Sequence, residues 1–323
     1  MQLNLQCEGA EIGVPASVAN LGPGLDTVAV AVQLYLRVRI RRIDPHLSNT
    51  VHCDFVDQQL QGENAIERAL RFAASRRGVS LPGLRLEVRS EIPMRAGLGS
   101  SAAATVAGLR VFELLAGPLP QQELLATAAE LEGHPDNSSA ALLGGLVVSC
   151  QLQNGSVLAV SSRWPHRLGF IVLTPDTPLT TPASRRVLPA LIPRRDAIFN
   201  LQRMALFLQA LHNEDFSLLR EAVRDRWHQP FRQHLVPGLE CALSLEHPDL
   251  LGVCLSGSGP SVLAMARTNL HAVAAAFSEA YRRAGIAHQV RLLRAHHFDT
   301  EPVAEQLPLQ PLPDAGLDSV QAS

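Results

Sequence analysis

The chain has 323 residues, 46% of them apolar, and carries a formal net charge of -2 with a pI near 6.6. A chain of this length and apolar content can bury two medium cores, which predicts two domains. The near-neutral charge lacks the positive excess that nucleic-acid or anionic-membrane binding requires, so we expect neither partner. All 28 basic residues are arginine. The missing lysine excludes a Walker-type phosphate loop and Schiff-base chemistry, because both need its amine.

The five cysteines are widely spaced, without the pattern of a zinc site or a disulfide framework, and we interpret them as small buried side chains. Residues 1–4 lack the basic start of a signal peptide, and no apolar run reaches the roughly 18 residues of a membrane helix. We therefore expect a cytoplasmic protein. The segment 300–323 has four prolines and no periodicity, which predicts a flexible tail.

In the first half of the chain, apolar residues recur at the spacing of helices in some segments and alternate with polar residues, as in strands, in others. The predicted helices cover 64–78, 101–115 and 121–132, and the predicted strands cover 34–43, 84–92 and 144–152. A turn and a short strand are predicted between residues 153 and 167.

The second half of the chain also contains both predicted helices and predicted strands. The predicted helices cover 196–212, 216–227 and 269–285, the predicted strands cover 168–174 and 289–293, and a strand, a Gly/Ser turn and a second strand cover 251–266. The order lacks the strict strand-helix-strand rhythm of a doubly wound sheet and favours an α+β fold. We predict an N-terminal domain at 1–160, a C-terminal domain at 161–299 and the tail at 300–323.

A glycine-rich loop joins the strand at 84–92 to the following helix. Its sequence is Pro93-Met94-Arg95-Ala96-Gly97-Leu98-Gly99-Ser100-Ser101-Ala102-Ala103. Glycines let the backbone approach a ligand closely, and the amides of a helix start attract anions, so the loop is a candidate polyphosphate site. The hydroxyl of Ser101 is a candidate Mg²⁺ ligand. An ordinary Gly-Ser turn with a serine cap is the alternative interpretation.

This loop resembles the nucleotide loop of the galactokinase, homoserine kinase, mevalonate kinase and phosphomevalonate kinase (GHMP) superfamily. Segments before and after it match the same superfamily in order: Val14–Asp26, whose family text is VPATSANLGPGFD, and Gly257-Ser258-Gly259-Pro260. Within the superfamily, the sequences ELEGHPDN at 130–137, TTPASRRVLP at 180–189, NLQR at 200–203 and HQPFR at 228–232 resemble homoserine kinases. The chain departs from that pattern at Val18, Leu25 and Ser138-Ser139, where Ser, Phe and Val-Ala are usual.

The resemblance implies a two-domain GHMP kinase fold, with an N-terminal nucleotide-binding α+β domain and a C-terminal ferredoxin-like α+β domain. It also implies an enzyme of threonine biosynthesis that uses ATP and Mg²⁺ to phosphorylate L-homoserine. The loop residues Pro93–Ala103 would bind the nucleotide, and Ser101 with Glu130 would bind the metal, with Glu132 in reserve. Substrate binding is expected from Asn20, Asp26, Thr181, Arg185, Arg232 and Gly257, and catalysis from Asp26, Asp136 and Asn137.

The sequence leaves alternatives open. Asp136 either accepts the hydroxyl proton or leaves that to the phosphate oxygens. The acceptor could be mevalonate or a related alcohol, and the chain could also be a catalytically silent regulator that binds ligand without reacting. We expect small-molecule partners and leave a homodimer open.

Overall fold

The computed structural model describes residues 3–57, 59–60 and 63–298. The predicted tail lies outside these residues. The strands are β1 (Glu11–Ala19), β2 (Val28–Ser48), β3 (Val51–Phe55), β4 (Pro82–Ser90), β5 (Leu146–Gln151), β6 (Val157–Ser162), β7 (Gly169–Pro175), β8 (Leu250–Leu255), β9 (Val262–Ala266) and β10 (His288–Leu293). The helices are α1 (Ala65–Arg76), α2 (Ser100–Ala116), α3 (Gln121–Glu132), α4 (Asp136–Leu143), α5 (Thr181–Arg186), α6 (Arg194–His212), α7 (Leu219–Ala222), α8 (Gln229–Arg232), α9 (Leu239–Leu243) and α10 (Leu270–Arg283).

The first sheet contains the strands of the first half in the order β3-β4-β2-β5-β6, with β1 also paired to β2. Its pairs are antiparallel except β3 with β4. Strand β2 begins six residues before the predicted strand at 34–43, because Val28–Val32 is buried on both faces and lacks the alternation that reveals a half-buried strand.

The second sheet has the antiparallel strand order β10-β7-β9-β8. This is the order of a ferredoxin-like sheet, which the resemblance implied. Strand β7 is buried on both faces, so it appears in the sequence as a continuous apolar run. Ile171 and Leu173 pack in one core with Phe277 of α10, whereas Phe170 and Val172 belong to a larger core on the opposite face.

That larger core is continuous with the core of the first sheet. Trp164 marks the join, with its ring 4.7 Å from that of Phe170 and 6.5 Å from that of Phe207 on α6. The chain passes from one sheet to the other between Ser162 and Gly169. The domain bounds 1–160 and 161–299 stay a prediction, because one hydrophobic core contains residues from both sides of this boundary.

The predicted helix at 216–227 is wrong in its second half. A 3-10 helix at Phe216–Leu218 leads into the four-residue α7, and the chain then turns. Asp225 causes the turn, because its carboxylate accepts the backbone N–H groups of Trp227, His228 and Gln229 at 3.0, 2.9 and 2.7 Å. In a continuing helix these amides would bond to backbone carbonyls instead.

The remaining predicted elements are present, but the sequence did not reveal six strands and α-helices, of which all but β1 have at most eight residues. The unpredicted elements are β1, β3, α4, α5, α8 and α9. Among the cysteines, Cys7 and Cys254 are buried as expected, but Cys150 is exposed, so the interpretation was wrong for that residue. Across the described ranges, every helix is too short or too polar to cross a membrane.

Gly108 allows close packing of α2 against α1. A Cβ atom at this position would lie 2.3 Å from the Ile66 carbonyl oxygen and 2.9 Å from the Ala69 Cβ. Alanine is the better helix former by about 1 kcal/mol, but the contact leaves no room for it. We expect Gly108→Ala to lower the free energy of unfolding by about 2 kcal/mol in denaturant titrations.

The control is Gln202→Ala on the exposed face of α6, which should change the same free energy by less than about 0.5 kcal/mol. A Gly108→Ala protein as stable as the parent would contradict this account of the helix contact.

Candidate active site

The glycine-rich loop lies where β4 meets α2. Gly97 and Gly99 have φ angles of 75° and 70°, a region that favours glycine. Helix α2 starts at Ser100 directly after Gly99, with no side-chain hydrogen bond capping it. Its first-turn amides are therefore available to an anion, and the helix dipole favours negative charge there.

Residues of this loop differ in exposure. Ala96, Leu98, Ala102 and Ala103 are buried, Pro93, Met94, Gly97, Gly99 and Ser100 are half-buried, and Arg95 and Ser101 are exposed. The apolar members thus fix the loop to the core, whereas the glycines and serines remain accessible from solvent.

The second half of the chain holds the loop in place. The Ser256 hydroxyl donates to the Gly97 carbonyl at 2.7 Å, and the Ser261 amide donates to the Ala96 carbonyl at 3.2 Å. A Cβ atom on Gly97 would lie 2.4 Å from the Ser256 carbonyl oxygen. The motif around Gly257 therefore supports the glycine-rich loop, and it also contacts the loop that holds Asn20.

Of the two predicted metal-ligand candidates, Glu130 lies away from the glycine-rich loop. Its carboxylate is half-exposed and bonds to Arg76 at 2.6 Å. Glu132 is the carboxylate that meets the loop, since it accepts the Ser101 hydroxyl at 3.1 Å and the Thr105 hydroxyl at 2.6 Å. The two glutamates are two residues apart and face different sides of α3. A carboxylate and two hydroxyls are hard oxygen ligands, which fits Mg²⁺.

The junction of α3 and α4 carries two of the three predicted catalytic residues, Asp136 and Asn137. Helix α3 ends at Gly133 with φ of 78°, and α4 begins at Asp136. Asp136 is buried, and its Oδ1 bonds to His134 Nδ1 at 2.6 Å and accepts the Asn137 amide at 2.7 Å. Its negative charge lies at the start of α4, where the helix dipole stabilises it.

Ser17 of β1 sets the orientation of the Asn137 side chain. Its hydroxyl donates to Asn137 Oδ1 at 2.8 Å, so the Nδ2 group turns the other way, to within 3.3 Å of Asp136 Oδ1. Gly99 makes this contact feasible, because a Cβ atom there would lie 2.2 Å from the Ser17 hydroxyl. The glycine-rich loop therefore lies directly against Asn137.

The loop after β1 holds the predicted Asn20 and Asp26. Asn20, Leu21 and Asp26 all have positive φ angles, which is unfavourable for residues with a side chain. The Asn20 side chain compensates, because Nδ2 donates to the Gly257 carbonyl at 2.8 Å and Oδ1 accepts the Asp26 amide at 3.1 Å. Such a constrained loop is typical of a binding site.

Arg185 and Arg232 approach this loop from the second half. Arg185 bonds to both carboxylate oxygens of Asp26, at 2.9 and 2.6 Å. Arg232 is 1% exposed, and the hydrogen bonds described for it go to neutral acceptors, including the Ser184 and Gly257 carbonyls at 3.2 Å. Thr181 is exposed and lies 3.4 Å from the Ser258 hydroxyl.

The charges of the cluster act on one another. Burial and then the nearby Arg185 charge lower the pKa of Arg232 to about 10, although neighbouring carboxylates oppose this. Burial disfavours the charged form of His134, but the hydrogen bond and charge of Asp136 outweigh it and raise the His134 pKa. Ligand atoms of Asp26, His134 and Asp136 lie within 4.8 Å of one another. The cluster therefore offers both signs of charge within a few ångströms.

The arrangement can bind a polyphosphate beside a small molecule that carries an anionic group, a cationic group and a hydroxyl. The sequence analysis did not identify three residues that contact the proposed site residues, namely Ser17, Thr105 and Arg68. Arg68 lies 3.3 Å from the Glu132 carboxylate. Thr105 follows Ser101 by one helical turn, and that i,i+4 spacing was a usable signal. Ser17 lies inside the first motif, but without the fold nothing linked it to Asn137.

Comparison with known proteins gives consistent matches. Residues 64–145 match the family model described as GHMP kinases N terminal domain, and residues 207–283 match GHMP kinases C terminal. A homoserine kinase from Caldicellulosiruptor saccharolyticus is 39% identical over 80% of this chain and 84% of its own length. One from Solibacter usitatus is 38% identical over 85% and 90% of the two chains. A crystal structure of homoserine kinase from Cytophaga hutchinsonii superposes with a TM-score of 0.76 at 25% identity, covering 91% and 97%.

The raised pKa of His134 predicts a pH-dependent contribution to stability. The imidazolium attracts Asp136, so its stabilisation is fully present below the ordinary histidine pKa of 6.5 and is lost as the pH rises through the raised value. We expect His134→Gln to melt well below the parent at pH 5.5, with the gap shrinking towards pH 9, in thermal unfolding scans. The exposed His212→Gln should show no such trend, and a pH-independent gap for His134→Gln would contradict the ion pair.

Proposed function

The chain belongs to the homoserine kinase family of the GHMP kinases, and we propose that it transfers the γ-phosphoryl group of ATP to the hydroxyl of L-homoserine, forming O-phospho-L-homoserine. One observation carries the proposal: the uncapped amides at the start of α2 lie next to Asn137, which adjoins the cluster of Asp136, Asp26 and Arg185. A phosphate-binding site and an amino-acid-binding site are thus adjacent.

The phosphates of ATP would bind to the amides from Gly97 to Ser101. Phosphoryl transfer depends on placement and charge neutralisation more than on covalent chemistry, so a fixed backbone cradle suits it. The contacts of Ser256 and Ser261 with this loop keep the cradle rigid. No lysine is needed, because main-chain N–H groups supply the hydrogen bonds.

Homoserine would bind in the cluster of opposite charges. Arg185 and Arg232 are suited to its carboxylate, since a guanidinium meets a carboxylate through paired hydrogen bonds. Asp26 is the partner for its ammonium group, and Asn20 holds Asp26 in place. The ion pair of Arg185 with Asp26 balances these two charges before the zwitterion enters.

The acceptor hydroxyl would meet Asp136 and Asn137. The hydrogen bonds described for Asp136 all end on Oδ1, which leaves Oδ2 to accept a hydrogen bond from the hydroxyl. Asn137 Nδ2 can donate to the hydroxyl oxygen, because Ser17 fixes the amide in that orientation. These contacts would position the hydroxyl for attack, and its proton would pass either to Asp136 or to the phosphate oxygens.

Mg²⁺ would be held by Ser101 and Glu132, and when bound it neutralises phosphate charge. The support for these ligands is their mutual distance of 3.1 Å and the burial of Glu132, whose side chain is 6% exposed. Arg68 lies on the same carboxylate oxygen at 3.3 Å and would have to share it.

The alternative functions have less support. The relatives compared above are homoserine kinases, which favours homoserine over mevalonate as the acceptor. A silent regulator would not need Ser101, Glu132 and Asp136 in their present geometry. The localisation and a homodimer stay predictions.

The decisive experiment is a coupled assay of purified protein with ATP and either homoserine or mevalonate. We expect turnover with homoserine alone. Arg185→Ala should raise the KM for homoserine about 100-fold through loss of a charged hydrogen bond. The adjacent Arg186→Ala, exposed on the same helix, should leave that KM unchanged. Turnover with mevalonate, or equal KM values for the two variants, would contradict the proposed acceptor site.

The metal ligands can be tested with a matched pair of substitutions on α3. We expect Glu132→Gln to lower kcat about 100-fold and to raise the Mg²⁺ concentration needed for half-maximal rate, because it removes a charged ligand. Glu130→Gln should keep the activity and Mg²⁺ dependence of the parent. If the Glu130 variant were the one impaired, the assignment to Glu132 would be wrong.

A further inference from the structure

His228 lies between the two halves of the substrate site. It is 0% exposed and immediately precedes α8, the helix that carries Arg232. Its Nε2 atom lies 2.6 Å from the carbonyl oxygen of Gly22, in the loop after β1 that holds Asn20 and Asp26. Its Nδ1 atom lies 3.1 Å from Arg232 NH1. One imidazole therefore connects the loop of Asn20 and Asp26 to a substrate-binding guanidinium.

The two contacts determine the protonation state of the ring. A guanidinium only donates, so Nδ1 has to be an acceptor without a proton. A carbonyl only accepts, so Nε2 has to carry the hydrogen. His228 is thus a neutral imidazole of the Nε2–H form.

The surroundings agree with a neutral ring. Burial lowers the pKa of His228, and the charge of Arg232 acts in the same direction. The charges of Asp225 and Asp26 oppose the shift. Asp225 Oδ2 is 3.8 Å from Nε2, too far for a hydrogen bond, and it already accepts the His228 and Gln229 amides.

Arg232 depends on this contact for its position. Its other described hydrogen bonds go to the carbonyls of Ser184 and Gly257, and the neighbouring Arg185 repels it. Arginine has many rotamers, so a repelled guanidinium needs fixed acceptors to keep one orientation. The His228 ring supplies such an acceptor, Nδ1, and the ring itself is fixed to the loop after β1 by the contact of Nε2 with Gly22.

We propose that neutral His228 is a positioning residue, which fixes the Arg232 guanidinium relative to the loop of Asp26 and so sets the spacing between the groups that bind the carboxylate and the ammonium of the substrate. This inference rests on the proposed function. It predicts that His228 acts on the affinity for the amino-acid substrate and has little effect on ATP or on the transfer step.

The test separates the two contacts of the ring. His228→Asn keeps an acceptor at the place of Nδ1, whereas His228→Gln keeps a donor within reach of Gly22 and loses the near acceptor. We expect His228→Ala and His228→Gln to raise the KM for homoserine about 30-fold, with kcat and the KM for ATP within about threefold of the parent. His228→Asn should recover most of the homoserine KM, and the exposed His234→Asn is the matched control.

The result that overturns the proposal is an equal rise of both KM values, or a His228→Gln protein at least as good as His228→Asn. If His228→Ala does not fold, the Asn and Gln variants still decide. Nitrogen NMR of the labelled parent gives a readout independent of turnover: we expect an Nε2–H ring that stays neutral from pH 8 to pH 5.5, and protonation in that range would overturn the inference. A parent inactive on homoserine, with the expected ring nitrogen signals, would instead refute the proposed function.

Discussion

The turn at residues 256–260 is the contact on which the site depends. Its backbone and side chains bond to the glycine-rich loop at Gly97 and to the loop after β1 at Asn20, and the Gly257 amide donates to the Ala19 carbonyl at 3.0 Å. Three segments far apart in the sequence are fixed to each other through one short turn of small residues. A side chain at Gly97 would keep two of these backbones apart, because its Cβ atom would lie 2.4 Å from the Ser256 carbonyl oxygen and 2.8 Å from that of Gly259.

Charge balance is the second constraint. Two guanidinium groups lie near two carboxylates and an imidazole, and the cluster is enclosed enough for burial to affect their pKa values. Such groups are costly to bury alone, so each has a partner or several neutral hydrogen bonds. The same arrangement suits a zwitterion, because a ligand with both signs of charge can bind there without leaving net charge behind.

The sequence predicted most of this architecture, and the structure brings most of the residues proposed for the site close together. Long helices such as α3 and α6 were found because their apolar periodicity extends over several turns. The short helices around the site were not found, because polar side chains and turn residues determine where they begin and end. Asp225 is an example, since its carboxylate binds backbone amides and stops the helix from continuing beyond α7. The sequence could not decide between Glu130 and Glu132 for a related reason. Both lie in the same motif, and only the rotation of α3 relative to α2 determines that Glu132 contacts Ser101.

The shared apolar core determines whether the two halves of the chain can be separated. Phe170 and Val172 of the second sheet belong to the same cluster as Val106 and Phe112 of α2. Cutting the chain between Ser162 and Gly169 would therefore expose aromatic and aliphatic surface on both fragments. Such surface drives aggregation, so neither fragment would persist as a free folded unit. The kinase is indivisible in this sense, even though its sheets and family matches come in two parts.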